Sequence, residues 1–184
     1  MKNIFASLFG LLLVMSVVSC DDYLDINDDP NNPSSVPATL TLPAAQITIA
    51  TTIGCDYAVV GGLWAQHWTQ SHVASQYRDE DRYDLTLLDY QVSWSELYAG
   101  ALIDLRKIEA EAVATGNWNL NLQAVCLTAF TYQMLVDWYS DVPYAQSLQG
   151  EGGVVAPQYQ PGSEIYADLV ARLDAALAKD FSGD

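Results

Sequence analysis

Between Trp94 and Ala112 large apolar side chains return every three or four residues, as Trp94, Leu97, Tyr98, Ala101, Leu105, Ile108 and Ala112. Glu96, Asp104, Lys107 and Glu111 fall off that stripe. The period predicts a helix with one buried face, and Gly116 supplies its stop. A longer helix follows, from about Asn119 to Tyr139, with two apolar faces: Leu122, Val125, Ala129 and Tyr132 on one, Leu127, Phe130, Met134 and Trp138 on the other. A helix apolar on two faces packs between neighbours. The short Gly116-Asn117 connection makes the pair an antiparallel hairpin.

Upstream, a first helix is expected to begin at Pro43, the favoured first helical residue. Its apolar positions Ile47, Ile49, Ala50 and Ile53 continue to Val59 and Val60. Gly61-Gly62 should interrupt or kink it, leaving Leu63 to Trp68 as a further turn or two. Ile47 to Ile53 also fits a strand, but the length of the run favours helix. Downstream, a fourth helix starts at Pro161 to Ser163 and points Ile165, Tyr166, Leu169, Leu173, Ala176 and Leu177 inward.

Two irregular stretches separate these helices. Residues 69–86 (TQSHVASQYRDEDRYDLT) are polar, aromatic and charged without an apolar period, which predicts a long surface loop. At Asp137-Trp-Tyr-Ser-Asp-Val-Pro-Tyr144 the third helix must stop, because Pro143 lacks a backbone N–H and pushes Val142 out of the α region. Its rings either lock helices together or line a concave surface; their place on the buried third helix favours packing for Trp138 and Tyr139. No strand finds a partner, and neither a glycine-rich phosphate loop nor a G-x-S-x-G is present. The expected class is all-α: antiparallel helix pairs in a tetratricopeptide-like stack with long loops.

The N-terminus changes the setting. Lys2 is the single charge in the first nineteen residues and Ile4 to Val18 is almost wholly apolar, the pattern of an export signal ending at 19. The run stops at Asp21-Asp22 short of the roughly 20 residues a spanning helix needs. Val17-Val18-Ser19-Cys20 looks like a bacterial lipobox, in which Cys20 is lipidated; an ordinary secretory signal with a chance cysteine is the alternative. Residues 20–40 read as an extended, turn-rich tether with Tyr23, Leu24 and Ile26 as docking points, and 41–184 as the helical domain. Loss of Lys2 takes the net charge from −16 to −17. So acidic a chain has no field for nucleic acid, and only a lipid anchor would hold it against anionic lipid.

Candidate chemistry is sparse. His67 and His72 are five apart, not the spacing of a helical metal pair. Asp28-Asp29 near Asn31-Asn32 lacks the spacing of a calcium loop. Cys55 and Cys126, in apolar contexts without a CxxC, read as buried free thiols, with a single disulfide as the alternative. Asp79, Glu80 and Asp84 offer carboxylates for a glycosidase, but Arg78 and Arg82 neutralise the cluster, and such a pair needs a separation across a cleft that spacing does not give. No metal or cofactor is implied.

These residues together resemble the N-terminal part of the SusD-like (SusD/RagB) outer-membrane lipoproteins. The resemblance is carried by Cys20-Asp-Asp-Tyr-Leu-Asp-Ile26, Asn31-Asn-Pro-Ser-Ser-Val-Pro37 with Leu42-Pro-Ala-Ala-Gln46, Trp94-Ser-Glu-Leu-Tyr98 and the 137–144 corner. Ser140 stands where the family usually has Gly, at a cost of about 1 kcal/mol if the position is left-handed. The family's chains also continue past this one, which implies truncation at the C-terminus and an uncovered apolar face on the fourth helix.

The resemblance implies binding without catalysis: a lipid-anchored, surface-exposed outer-membrane protein that captures oligosaccharide or another nutrient for a SusC-like TonB-dependent transporter. Sugars are held by aromatic faces and amide or carboxylate hydrogen bonds. The loop offers Trp68, Gln76, Tyr77 and Tyr83 as candidate ligand-binding residues, with helix packing as the competing role of each ring and the favoured one for Trp64. A helical protein-interaction scaffold without a sugar site is the alternative function.

Overall fold

A computed structural model describes residues 36–86 and 88–182. The expected signal peptide (1–19), the lipidated Cys20 and the docking residues Tyr23, Leu24 and Ile26 lie outside them. The described body is all-α, as the periodicity implied, with helices α1 (Ala38–Trp64), α2 (Arg78–Asp81), α3 (91–115), α4 (Trp118–Tyr139) and α5 (Gly162–Leu177). Two-residue strands β1 (Val142–Pro143) and β2 (Tyr159–Gln160) pair antiparallel, Val142 opposite Gln160 and Pro143 opposite Tyr159. That ladder was not expected, and it is too short to show as a sequence period.

Three-layer packing places the core. α1 lies along α3, α3 pairs with α4 as the predicted hairpin, and α5 covers the far side of α4. Leu97, Ala101, Leu105 and Ile108 of α3 are fully buried between Ala45 and Ile49 of α1 and Ala124 and Leu135 of α4. Each such Leu or Ile contributes about 1.5–3 kcal/mol relative to exposure. The hairpin closes as its residues dictate. Gly116 (φ +72°) ends α3, Asn117 N–H donates to the Ala112 carbonyl at 2.9 Å, and the Asn117 side chain caps α4 by accepting from Leu120 N–H at 2.9 Å.

The first helix departs from expectation at both ends. It begins at Ala38 rather than Pro43, so the helix takes the last residues assigned to the tether. Pro37 is its N-cap, and Thr41 Oγ1 donates back to the Pro37 carbonyl at 3.1 Å. Pro43 is tolerated inside because it and Thr39, the residue whose carbonyl it leaves unbonded, both face outward. Gly61-Gly62 does not break α1, which passes through a π-turn at Ile53–Tyr57 and runs to Trp64. It ends there instead: Gln66 takes φ +58°, Gln66 N–H bonds the Leu63 carbonyl at 3.0 Å and His67 N–H the Gly62 carbonyl at 2.9 Å. This is a Schellman stop built without glycine.

Several apolar residues face outward. Tyr166 and Leu177, expected inward on α5, are 36% and 62% exposed, and Val170 joins them at 57%. α5 buries only Ile165, Leu169 and Ala176 against α4, a narrower stripe than its apolar content suggests. Ile47 and Phe130 are exposed as well. Cys55 and Cys126 are free thiols, as expected, but exposed rather than buried. Each lies on the outward side of its helix, where an apolar sequence context says nothing of direction.

Candidate functional site: an aromatic cleft at the α4 stop

α4 ends where Ser140 adopts φ +68°, ψ −87°, with its N–H still bonded to the Val136 carbonyl at 2.8 Å. The chain then reverses into β1, Val142 fully buried, and the Tyr98 hydroxyl donates to the Pro143 carbonyl at 2.7 Å. This pins the corner to α3. Trp138 and Tyr139, in the last turn of α4, are thereby set beside the C-terminus of α1 and the start of α3.

The result is a cleft of about 550 Å³ walled by six rings: Trp64, Tyr90, Trp94, Trp138, Tyr139 and Tyr159. Trp138 is stacked on buried Tyr57, centroids 4.3 Å apart and planes 15° from parallel. Trp64 lies parallel to Trp138 within 3°, at 6.1 Å, and Tyr90 meets Trp138 edge-on at 5.4 Å. On the other wall Trp94 is edge-on to Tyr139 at 4.8 Å and roughly parallel to Tyr159 at 6.4 Å, with Tyr159 64% exposed. Volume and lining fall within the range of small-ligand pockets.

The loop before α3 braces these walls. Glu80, on the short α2, accepts from Trp64 Nε1–H through its carbonyl (2.9 Å) and from the Tyr90 hydroxyl through its carboxylate (2.9 Å). The Tyr139 hydroxyl donates to the Tyr90 carbonyl at 3.0 Å. Burial, then the hydrogen bond to Glu80, pushes the Tyr90 phenol well above its ordinary range, and burial raises the Tyr139 phenol. Tyr90 and Tyr139 therefore stay neutral and able to hydrogen-bond at any physiological pH. Of the acidic cluster, Glu80 is committed to Tyr90, and among the described residues neither Arg78 nor Arg82 forms an ion pair. Any offset of the cluster's charge by those arginines comes from their proximity along the chain and not from paired contacts.

The four loop residues singled out from the sequence do not line this cleft. Trp68 packs over Gly62, where an added Cβ would sit 2.6 Å from the indole, so a close approach requires glycine there. Gln76 Nε2 bonds the neighbouring Tyr77 hydroxyl at 3.1 Å, and Tyr77 N–H is held by Gln70. Tyr83, at φ +59°, has its ring 5.5 Å from that of Trp64, a wall of the cleft. Trp138 and Tyr139 do pack, as the two-faced helix implied, but they also wall the cleft. Trp64 likewise does both. Helical period separates buried from exposed faces; it carries no signal for a ring whose two faces meet different surroundings.

Among the described residues no three His, Cys, Asp or Glu side chains gather as a metal would require. The arrangement offers flat rings with a few fixed polar groups. A family model described as starch-binding associating with outer membrane matches residues 30–183. The chain belongs to the SusD-like family. No curated protein matches it. The SusD-like family is one of glycan-binding proteins associated with the outer membrane and with uptake. The matched span contains the whole described body, the corner and the cleft included.

Proposed function

We propose that this SusD-like protein captures oligosaccharide at the cell surface in the aromatic cleft and delivers it to a SusC-like TonB-dependent transporter, held to the membrane by a lipid on Cys20. The observation that carries the reading is the six-ring cleft. Sugar rings present apolar C–H faces bounded by hydroxyls, and they gain most where flat aromatic walls stand beside hydrogen-bonding groups such as Asp137 and Gln91 at this site. The protein supplies binding and release, with no bond-making step.

Titration calorimetry with maltoheptaose, xylohexaose and mannohexaose tests it, using tryptophan fluorescence as a local report from Trp64, Trp94 and Trp138. At least one saccharide should give heat together with a fluorescence change, and both should fall for Tyr159→Ala. A folded protein silent to all three would overturn the glycan reading. Membrane fractionation of Cys20→Ala tests the anchor, and a persistent membrane association would exclude lipidation as its cause. Co-purification of a barrel transporter from detergent-solubilised outer membrane tests delivery.

The helical scaffold remains the second reading, favoured by the exposed Tyr166, Val170 and Leu177 on α5. Monomer-sized protein that binds no saccharide but retains a protein partner after Tyr159→Ala would support it.

A further inference from the structure

β2 divides two cavities. Tyr159 lines the aromatic cleft, and the next residue, Gln160, lines a separate groove of about 410 Å³ between α3, α4, the 144–149 segment and α5, because successive strand residues point to opposite faces. The groove's floor is one chain of polar contacts. The Thr128 hydroxyl donates to Glu109 (2.6 Å), Glu109 pairs with Arg172 (2.7 Å), Arg172 donates to the Tyr144 hydroxyl (3.1 Å), and that hydroxyl donates to Asp168. These bonds hold α3, α4, the corner and α5 in one geometry, so the groove is preformed.

What lies above the floor is only partly engaged. Gln160 spends its carbonyl on Ala145 N–H and keeps its amide nitrogen. Gln149 spends its nitrogen on the Ala145 carbonyl and keeps its oxygen. Arg106 gives one donor to the Leu148 carbonyl and has others to offer. Glu164, exposed in the first turn of α5, makes no side-chain hydrogen bond or ion pair among the described residues. The lining therefore carries both unengaged donors and unengaged acceptors.

That mixture selects a ligand by chemistry. An anion would meet Glu164, Asp168 and the field of a chain at −16. A cation would meet Arg106 and Arg172. An apolar group would desolvate these side chains without replacing their hydrogen bonds. A neutral polyol satisfies both kinds, since every hydroxyl both donates and accepts. We infer that the groove is a second saccharide-binding site, for a neutral sugar, independent of the aromatic cleft.

The two sites report differently. No tryptophan lines the groove, whereas three line the cleft. With the full chain and maltoheptaose, xylohexaose or mannohexaose, calorimetry should detect a site that tryptophan fluorescence does not. Glu164→Ala combined with Gln149→Ala should weaken that silent site about tenfold and leave the fluorescence-reported one unchanged; Gln149→Ala alone should do so to a smaller degree. Tyr159→Ala should do the reverse. A single site lost with Tyr159→Ala, or a double variant that binds as the parent does, overturns the inference while sparing the cleft. A silent site without any fluorescence change spares the groove and overturns the cleft. No heat from any probe overturns both.

Discussion

Tyr57 and Trp138 lie face to face, ring centroids 4.3 Å apart and planes 15° from parallel. The stack ties the π-turn of α1 to the last turn of α4, and so fixes the floor under Trp64. Among the described residues the buried Tyr57 hydroxyl has no hydrogen-bond partner in good geometry; the Tyr139 hydroxyl beside it donates to the Tyr90 carbonyl. An orphaned buried hydroxyl costs about 1–3 kcal/mol. Tyr57→Phe keeps the stack and removes the orphan, so urea denaturation should show equal or higher stability, by up to about 1 kcal/mol. A loss larger than that would mean that the hydroxyl is bonded in solution.

Ser140 pays for its positive φ without the backbone freedom of glycine. Ser140→Gly should stabilise the protein by about 1 kcal/mol, while Ser140→Val should destabilise it further. Thermal melts of the three proteins order them, and the reverse order would mean that the turn relaxes away from φ +68° in solution.

Gly162 opens α5 against the corner. A Cβ there would lie 2.6 Å from Val136 Cγ1 and 3.0 Å from the Ser140 carbonyl oxygen. The second contact is backbone, which cannot swing aside, so Gly162→Ala should cost about 1–3 kcal/mol by overpacking. A chemical-denaturation midpoint unchanged from the parent would show that α5 shifts freely on α4.

Alkaline pH should loosen the corner. Burial pushes the Tyr132 phenol up to about 12, and burial followed by the hydrogen bond to Asp168 pushes Tyr144 up to about 12. Both folded values stand above the unfolded value of 10.0. The folded state therefore holds these protons more tightly, and the stability they contribute is full below pH 10 and is lost as pH rises from 10 toward 12. Stability measured across that window should fall for the parent and fall less for Tyr132→Phe with Tyr144→Phe. Equal slopes would show that these phenols titrate normally.

Tyr159 separates binding from folding. It is 64% exposed and reaches Trp94 only at 6.4 Å, so Tyr159→Ala should change stability by no more than about 0.5 kcal/mol. Saccharide affinity at the cleft should fall three- to tenfold, since an aromatic contact is worth about 0.5–1.5 kcal/mol. A large loss of stability instead would assign the ring to packing.

Helices with a strong period were legible along the chain. The α3 stripe, the Gly116 stop, the α3–α4 hairpin and the corner at Pro143 all follow from local steric and hydrophobic rules, because each depends on residues within a turn or two of one another. The family resemblance rested on the same local words. The ends of α1 were not legible: Pro37 and not Pro43 caps the helix, and Gln66 takes a left-handed residue's place after a Gly-Gly pair that stays helical. Such choices turn on what the rest of the fold packs against, as Trp68 does over Gly62.

The candidate site divides the same way. Sequence marked the aromatic, polar loop around Trp68 to Tyr83 and assigned Trp138 and Tyr139 to packing, because period alone sorts a ring as in or out. The cleft is made of rings from four separate stretches: Trp64 at the end of α1, Tyr90 and Trp94 at the start of α3, Trp138 and Tyr139 at the end of α4, and Tyr159 on β2. The α3–α4 hairpin, its Gly116 stop and the corner were properties of neighbours along the chain. The cleft and the polar groove behind it exist only where distant stretches converge, at distances set by α3–α4 packing and a two-residue ladder that no local pattern encodes.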